Sequence, residues 1–492
     1  MFMKRILLIG TIILLCMQVK AQFSVQYDPA KQPTDNFQYF TPSGEQLFVG
    51  DCIPFFHNDT YYLYWLLDSA HHSSLNGLGG HQWVLSTTKD LKHWKNFPIV
   101  LGIDEDWEKS ICTGSVVYAN NRFYAYYATR LIDNGKVNEQ LSYAISEDGI
   151  HFVKQKPNPF YTSAPGYSKR DFRDPKVTVD KNGVFNLFVS SRQDQPVMNG
   201  AAGALVHLSS RDRQHWAVEP PVLTGQPSVP ECPDYFNWNG WYYLVYSHNG
   251  NTFYVKSRNP LGPWEQPRSQ ALNEDWANVV KTAEFTNGRR IAAGWIPSRR
   301  DGKDDKGEIF GGSTVFRELI QEQDGTLSTK FPPEMLPDNI TALPLQAVHD
   351  SLTTEPAAGS YLVNAPNGQG AVYFKDLPAD YRVTMEITPT GINEEYGLVL
   401  RSGEHAAGGY ALSFSAINRI VKLANTSIEA VDGLDKKITL DIIVKNSIID
   451  VCVNGKRCIV NRLYEQKGSY LWLYAKHGKV KFSAIKVYPL SK

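Results

Sequence analysis

Three acidic residues in this 492-residue chain stand at one distance from an aromatic or apolar strand pattern. Asp51 precedes Tyr61 by ten positions in FVGDCIPFFHNDTYYLYW, Asp174 precedes Val184 by ten in FRDPKVTVDKNGVFNLFVS, and Glu231 precedes Trp241 by ten in ECPDYFNWNGWYYLVYS. Thr113 and Lys281 occupy the same offset ahead of two further patterns. A lone acid in such a place is most simply a strand cap or the partner of a neighbouring Arg, because ion pairs perturb carboxylates without catalysis. Three at one offset point instead to convergence on a single cavity, the equipment of nucleophilic and acid–base chemistry.

The elements that must position them repeat along the chain. The phrases STTKDLKHW (86–94), SEDGIHF (146–152), SSRDRQHW (209–216) and SRNPLGPW (257–264) each follow a short strand pattern and end on an aromatic. Upstream lie YYLYWLLD, RFYAYYATR, VFNLFVSSR and WYYLVYS, with a fifth pattern at RRIAAGWIP (289–297). Five units of roughly fifty residues match the spacing of four-stranded propeller blades. The first strand of each blade lines the central channel, so the shared offset gathers Asp51, Thr113, Asp174, Glu231 and Lys281 around one axis. Trp94, Trp216 and Trp264, which recur in the repeat phrase, read as blade packing.

After the Pro-interrupted passage KFPPEMLPDNITALPLQ (330–346), the pattern changes to short alternating strands with Asn-Gly turns and no helical period. This reads as a β-sandwich of about 140 residues. The expected fold is therefore all-β: a five-bladed β-propeller over 22–337, a linker over 338–350 and a β-sandwich over 351–492.

Length demands two domains, and 42% hydrophobic residues suffice to bury both cores. Fifty basic side chains balance fifty acidic ones, so neither a basic excess nor a basic stripe points to a nucleic-acid partner. The start, MFMKRILLIGTIILLCMQVKAQ, has a basic beginning, an apolar run from Ile6 to Leu15 and small-residue cleavage chemistry before Gln22. Residues 1–21 read as an export signal, since the run is too short for a stable membrane span, and the mature chain is expected in the periplasm or outside the cell. Bulky Leu15 precedes Cys16 where a lipoprotein signal takes a small residue.

The mature chain keeps Cys52, Cys112, Cys232, Cys452 and Cys458, an odd set that matches neither a disulfide framework nor a CxxC zinc site. A two-residue Asn454-Gly455 turn would set Cys452 opposite Arg457 and leave it unbridged to Cys458. His71, His72 and His81, with Gly77–Gly80, read as a flexible rim rather than a metal site. The charge run RRDGKDDKGE (299–308) reads as a solvated loop.

These residues resemble glycoside hydrolase family 32, the β-fructofuranosidase, inulinase and levanase group, over nearly the whole mature chain. Arg173-Asp174-Pro175 is similar to the family's RDP motif, Glu231-Cys232 to its EC motif, and Cys112-Thr113-Gly114-Ser115 to its CFSGS segment. Trp83 with DLKHW (90–94) resembles the first-blade WGHxxSxDLxxW phrase, and GRRIAAGW (288–295) the fifth-blade GRRxxxGW phrase. FRELIQEQDGTLSTKFPPEM (316–335) is similar to the PREL passage, and IIVKNSIIDVCVNG (442–455) to a sandwich strand near the C-terminus. One departure stands out: FVGDCIPFF replaces WMNDPNG, so Asp51 keeps its place while Cys52 stands for Pro and the flanking Asn and Trp have no counterpart. Leu85 likewise replaces a His.

The resemblance implies a cofactor-free, retaining hydrolase acting on an oligo- or polysaccharide, releasing fructose or a related furanose from sucrose-type oligosaccharides or fructans. Asp51 would be the nucleophile, Glu231 the general acid and then base, and Asp174 the holder of sugar hydroxyls, oriented by Arg173. Nearby negative charge and partial burial should raise the Glu231 pKa above that of Asp51. Thr113, Cys232, Trp83, Trp276 and Trp295 are the further expected substrate contacts, although Cys232 and Cys52 also read as small buried filler. Two alternatives stay open at this point. One is an inverting arabinofuranosidase or xylosidase of sister family 43, suggested by the weakened nucleophile motif; the other is a sugar-binding propeller without turnover. Linkage, endo or exo action and oligomeric state are not written in the sequence.

Overall fold

The structure is a computed structural model that describes residues 23, 25–337 and 341–490. The expected export signal and residues 338–340 of the expected linker lie outside the described residues. Period-two alternation broken by Asn-, Asp- and Gly-rich turns drives the chain into consecutive antiparallel meanders. The first comprises β1 (Leu47–His57), β2 (Thr60–Ser69), β3 (Gln82–Thr88) and β4 (Trp94–Leu101). The second comprises β5 (Ser110–Ala119), β6 (Arg122–Asp133), β7 (Lys136–Ser146) and β8 (Val153–Lys154). The third comprises β9 (Tyr167–Val179), β10 (Phe185–Gln193), β11 (Gly203–Ser210) and β12 (Ala217–Gln226). The fourth is three-stranded, β13 (Glu231–Trp238), β14 (Trp241–His248) and β15 (Asn251–Ser257), with Glu265 bridged to Lys256 at its outer edge. The last comprises β16 (Asn278–Glu284), β17 (Arg290–Arg299), β18 (Glu308–Gln321) and β19 (Leu327–Lys330).

The first strands of these meanders lie against one another in turn: β1 on β5, β5 on β9, β9 on β13, β13 on β16, and β16 back on β1. This is a β-propeller, whose radial closure brings the same end of every inner strand to one channel. The ring is latched where Val49 of β1 pairs with Gly312 of β18, and where Tyr39 and Phe40 exchange backbone hydrogen bonds with Thr314. The repeat phrase has a local cause in the first three meanders. Asp90, Asp148 and Asp212 each accept the backbone N–H groups two and three residues on, and each meets an imidazole, of His93, His151 or His215, at 2.7 Å. Such Asx turns swing the chain into the outer strand. Trp94 then packs inward, stacked on Phe37 with ring centroids 4.4 Å apart.

The second domain is a β-sandwich of β20 (Ala347–His349), β21 (Thr353–Ala357), β22 (Ser360–Phe374), β23 (Tyr381–Thr390), β24 (Glu395–Ser402), β25 (Tyr410–Ser415), β26 (Ile420–Leu423), β27 (Thr426–Ile428), β28 (Ile438–Lys445), β29 (Ile448–Val453), β30 (Arg457–Arg462) and β31 (Tyr470–Pro489). Strand β20 lies within the stretch expected to link the domains and pairs with β22. The long β31 pairs with β24 over its first half and with β23 over its second. At the change of partner stands Gly478, where a Cβ would sit 1.9 Å from Asn393 Oδ1, so only glycine passes.

The hairpin between β29 and β30 departs from expectation. Asn454 and Gly455 both take positive φ, and the Lys456 N–H closes onto the Val453 carbonyl. The loop is thus three residues long, which shifts the ladder by one and sets Cys452 directly opposite Cys458. Both thiols are free.

The two domains share a buried charged joint. Arg317 on β18 donates to both carboxylate oxygens of Glu274, at 2.9 and 2.7 Å, and to both of Asp450 on β29, at 2.9 and 2.8 Å. The 299–308 run is largely exposed, as expected of a solvated loop, but Arg299 and Asp304 anchor it to the sandwich. Arg299 is 3% exposed and donates to the Arg462 carbonyl and to Asn461 Oδ1, while Asp304 accepts from the Tyr410 hydroxyl and the Tyr464 N–H. Lys303 adds an exposed ion pair to Glu465 at 3.1 Å.

Candidate active site

Every inner strand carries a β-bulge where it enters the channel. The ladder slips between Val49 and Cys52, Ile111 and Gly114, Arg173 and Lys176, Glu231 and Asp234, and Asn278 and Lys281. A bulge leaves a residue unpaired and re-aims its side chain. The common ten-residue offset therefore conceals a stagger: Asp51 and Asp174 lie inside their bulges, whereas Glu231 pairs with Ser247 just ahead of its own. Asp174, Cys232 and Val279 take φ values of 53°, 51° and 51°. Left-handed backbone costs a non-glycine residue roughly 1–2 kcal/mol, and here the strain gathers on one wall. At the bulge of β5 the chain needs glycine, since a Cβ on Gly114 would lie 1.9 Å from the Tyr126 carbonyl oxygen.

Together these strands enclose a cavity of about 460 Å³ lined by Asp51, Asp174 and Glu231, with Thr113, Arg173, Cys232 and Trp295 beside them. The three acids form one connected chain. Asp51 accepts at Oδ1 from the Trp295 indole N–H at 3.0 Å and at Oδ2 from the Thr113 hydroxyl. The Cys232 thiol lies 3.5 Å from Asp51 Oδ2, while the Cys232 backbone N–H donates to Asp174 Oδ2 at 3.1 Å. Arg173 places Nε 3.5 Å from Asp174 Oδ2 and donates from Nη2 to Glu231 Oε1 at 3.0 Å. Beneath this chain, buried Lys281 reaches across the channel to the Gly114 carbonyl at 2.7 Å, next to Thr113.

Electrostatics separates the acids. Burial raises the Glu231 pKa, the Arg173 guanidinium partly offsets this, and the Asp51 and Glu139 carboxylates add to it. Burial likewise raises Asp174, against the pull of Arg173. Their settings differ, because the Glu231 side chain is 33% exposed at the cavity mouth and that of Asp174 only 6%. Glu231 is thus the carboxyl that can hold a proton and still meet an arriving oxygen. Burial drives the Cys232 thiol well above its ordinary pKa, so it stays a neutral S–H donor.

Two expected contacts lie elsewhere. Trp83 is fully buried between the first two meanders, its indole N–H bonded to the Cys112 carbonyl at 2.9 Å. Trp276 does not line the cavity; it stacks beneath Arg299 at 3.8 Å, at the domain junction. Trp295 alone among the three tryptophans reaches the acids. The histidines expected as a flexible rim are a packed wall. His81, 2% exposed, meets Asp68 at 3.1 Å, and His71 stacks on Phe48 with ring centroids 3.8 Å apart. Burial, with His81 and Arg130 alongside, lowers the His72 pKa to about 4, so its neutral Nε2 accepts from Arg130 at 2.8 Å.

Sequence reasoning also passed over Arg130 and Glu139, which line the cavity and join the chain of acids. Arg130 donates twice to Glu139 Oε1, at 3.0 and 2.7 Å, and Glu139 Oε2 lies 3.5 Å from Arg173. The signal was present: Asn134-Gly135 closes a two-residue hairpin turn, which pairs Asp133 with Lys136 and, three rungs on, Arg130 with Glu139. Asn278, Glu308 and Phe310 also line the cavity. Among the described residues no group of three His, Cys, Asp or Glu side chains is placed to hold a metal ion.

The model for the glycosyl hydrolases family 32 N-terminal domain matches residues 52–330. The sucrose-6-phosphate hydrolase of Escherichia coli is 24% identical over 454 residues, covering 86% of this chain and 88% of that protein. The levanase of Bacillus subtilis (strain 168) is 24% identical over 506 residues, covering 92% and 68%. Among solved structures, a variant of fructan 1-exohydrolase IIa from Cichorium intybus in complex with 1-kestose superposes with a TM-score of 0.70 at 16% identity, over 95% and 98% of the two chains. A propeller followed by a sandwich is also the fold of the family 32 structures on which the chain superposes. The chain belongs to glycosyl hydrolases family 32 and is a β-fructofuranosidase-like glycoside hydrolase.

Proposed function

We propose that the chain is an exported, retaining enzyme that releases fructose from β-fructosides, either sucrose-type oligosaccharides or fructans. The observation that carries this reading is the single run of contacts from Asp51 through Cys232, Asp174 and Arg173 to Glu231 around one cavity. In the first step an Asp51 oxygen attacks the anomeric carbon, the bond to the leaving oxygen breaks, and that oxygen takes the Glu231 proton. In the second step water attacks the same carbon, gives its proton to Glu231 and releases the Asp51 carboxylate. Asp174, held by the Cys232 N–H and Arg173, binds sugar hydroxyls as positive charge develops on the ring. Support for export comes from the first 21 residues, whose basic start, short apolar run and small-residue site precede Gln22.

The test is direct. Asp51→Asn, Asp174→Asn and Glu231→Gln, each shown to be folded, should lower fructose release from sucrose, inulin and levan, Glu231→Gln by about 10²–10⁴-fold. NMR of the first-formed product should show retained anomeric configuration; an inverted product would remove the double displacement. Cell fractionation with N-terminal sequencing should find the protein outside the cytoplasm, beginning at Gln22.

A further inference from the structure

One face of the sandwich carries aromatic rings where water would ordinarily meet polar side chains. Tyr373 on β22 stands directly opposite Trp472 on β31, with ring centroids 4.3 Å apart and planes inclined by 26°. Tyr470, two residues before Trp472 and so on the same face, lies 5.8 Å from Tyr373. The residues that alternate with them, Val372, Phe374, Leu471 and Leu473, are buried in the sandwich core, so the three half-buried rings point outward. On the neighbouring β20, Val348 pairs with Tyr373 and is 42% exposed, which widens the apolar strip.

A cavity of about 300 Å³ opens against this strip, bounded by Tyr373 and Trp472 on one side and by His349, Asp350, Glu404 and His405 on the other. The rings are fixed in place. The Trp472 indole N–H donates to the Gly403 carbonyl at 3.3 Å, and the Tyr470 hydroxyl donates to Glu404 Oε1 at 3.4 Å. Asp350 is spent on the backbone, accepting from the Leu352 and Ala371 N–H groups at 3.0 and 2.7 Å. Glu404 Oε2 and the His405 imidazole remain to meet a ligand.

We propose that this is a second carbohydrate-binding site, separate from the catalytic cavity, which holds a neutral β-fructan chain. A cross-strand aromatic pair by itself stabilises a sheet by roughly 0.2–1 kcal/mol and asks for no cavity beside it. Here a flat ring surface is rimmed by a carboxylate and imidazoles, an apolar floor with a few convergent polar groups. Sugars match that chemistry: their C–H faces stack on aromatic rings and their hydroxyls donate to carboxylates. The rim holds two acids and no lysine or arginine, which disfavours phosphorylated or acidic glycans. On a chain with a catalytic cavity in the other domain, such a site raises the local concentration of polymer without contributing to the cleavage of a disaccharide. The choice of fructan as ligand rests on the function proposed above.

The experiment compares the full chain with Tyr373→Ala and with the Tyr373→Ala/Trp472→Ala double variant. Migration in native gels containing inulin or levan is measured in a Glu231→Gln background, with excess sucrose to fill the catalytic cavity. Retardation by at least one fructan is expected, weakened about tenfold in the double variant and less in the single one, with kcat/KM on sucrose unchanged in the Glu231 forms. Equal retardation of all forms would overturn the proposal, as would retardation by arabinoxylan rather than either fructan. An altered oligomeric state on size exclusion would also overturn it by assigning the rings to a subunit contact. Absence of fructose release from every substrate by the unmodified chain would instead count against the function proposed above, while the gel measurement would still report on the sandwich site.

Discussion

Cys232 serves Asp51 and Asp174 at once, its thiol 3.5 Å from one carboxylate and its backbone N–H 3.1 Å from the other. Because the thiol is neutral, it acts as a donor and spacer. Cys232→Ser should keep most activity, since a hydroxyl donates to the same oxygen, whereas Cys232→Ala should lose about tenfold in kcat, the worth of one hydrogen bond to a charged group. Steady-state kinetics on sucrose distinguishes the pair; equal losses would mean that the side chain only fills space.

Trp295 is both ring and donor. Trp295→Phe keeps an aromatic face in the cavity but removes the 3.0 Å bond to Asp51 Oδ1. A fall in kcat of about 10–100-fold with a smaller change in KM is expected, because the lost bond orients the attacking carboxylate. A rise in KM alone would make Trp295 a sugar platform rather than a partner of Asp51.

Burial of acids at the site costs stability. The Asp174 pKa is raised, from 3.8 toward about 7, by burial first and by the neighbouring carboxylates. A carboxyl whose folded-state pKa is raised contributes its stabilisation below its ordinary pKa and loses it as pH rises through the folded value. Asp174→Asn should therefore abolish activity yet raise Tm, with a gain that grows between about pH 4 and pH 7. Calorimetry at several pH values checks this; a gain independent of pH would detach it from ionisation.

The domain joint should be sensitive to truncation. Arg317→Ala would leave Glu274 and Asp450, both almost fully buried, without their cation. Removing one member of a buried ion pair costs about 3–5 kcal/mol. Urea denaturation should show that loss. Arg317→Lys should recover only part of it, since an ammonium cannot make both bidentate pairs.

Local spacing made much of this molecule legible from its residues. Hairpin lengths and period-two alternation depend on near neighbours, so the strand repeats, the change to a sandwich after residue 330 and the grouping of Asp51, Asp174 and Glu231 could be read directly. The Arg130–Glu139 pair was within reach of the same reasoning, through the Asn134-Gly135 turn. What the chain could not disclose locally was which side chain reaches which cavity. Trp83, Trp276 and Trp295 look alike in sequence, but packing between meanders buries the first, the sandwich claims the second, and only the third faces Asp51. The 299–308 loop has a solvated composition, and its role at the junction depends on Asn461, Arg462 and Tyr464, some 160 residues away. One extra turn residue set Cys452 against Cys458 rather than Arg457. Bulges decided the stagger of the acids, because the twist of each inner strand into a shared channel arises only when the ring closes.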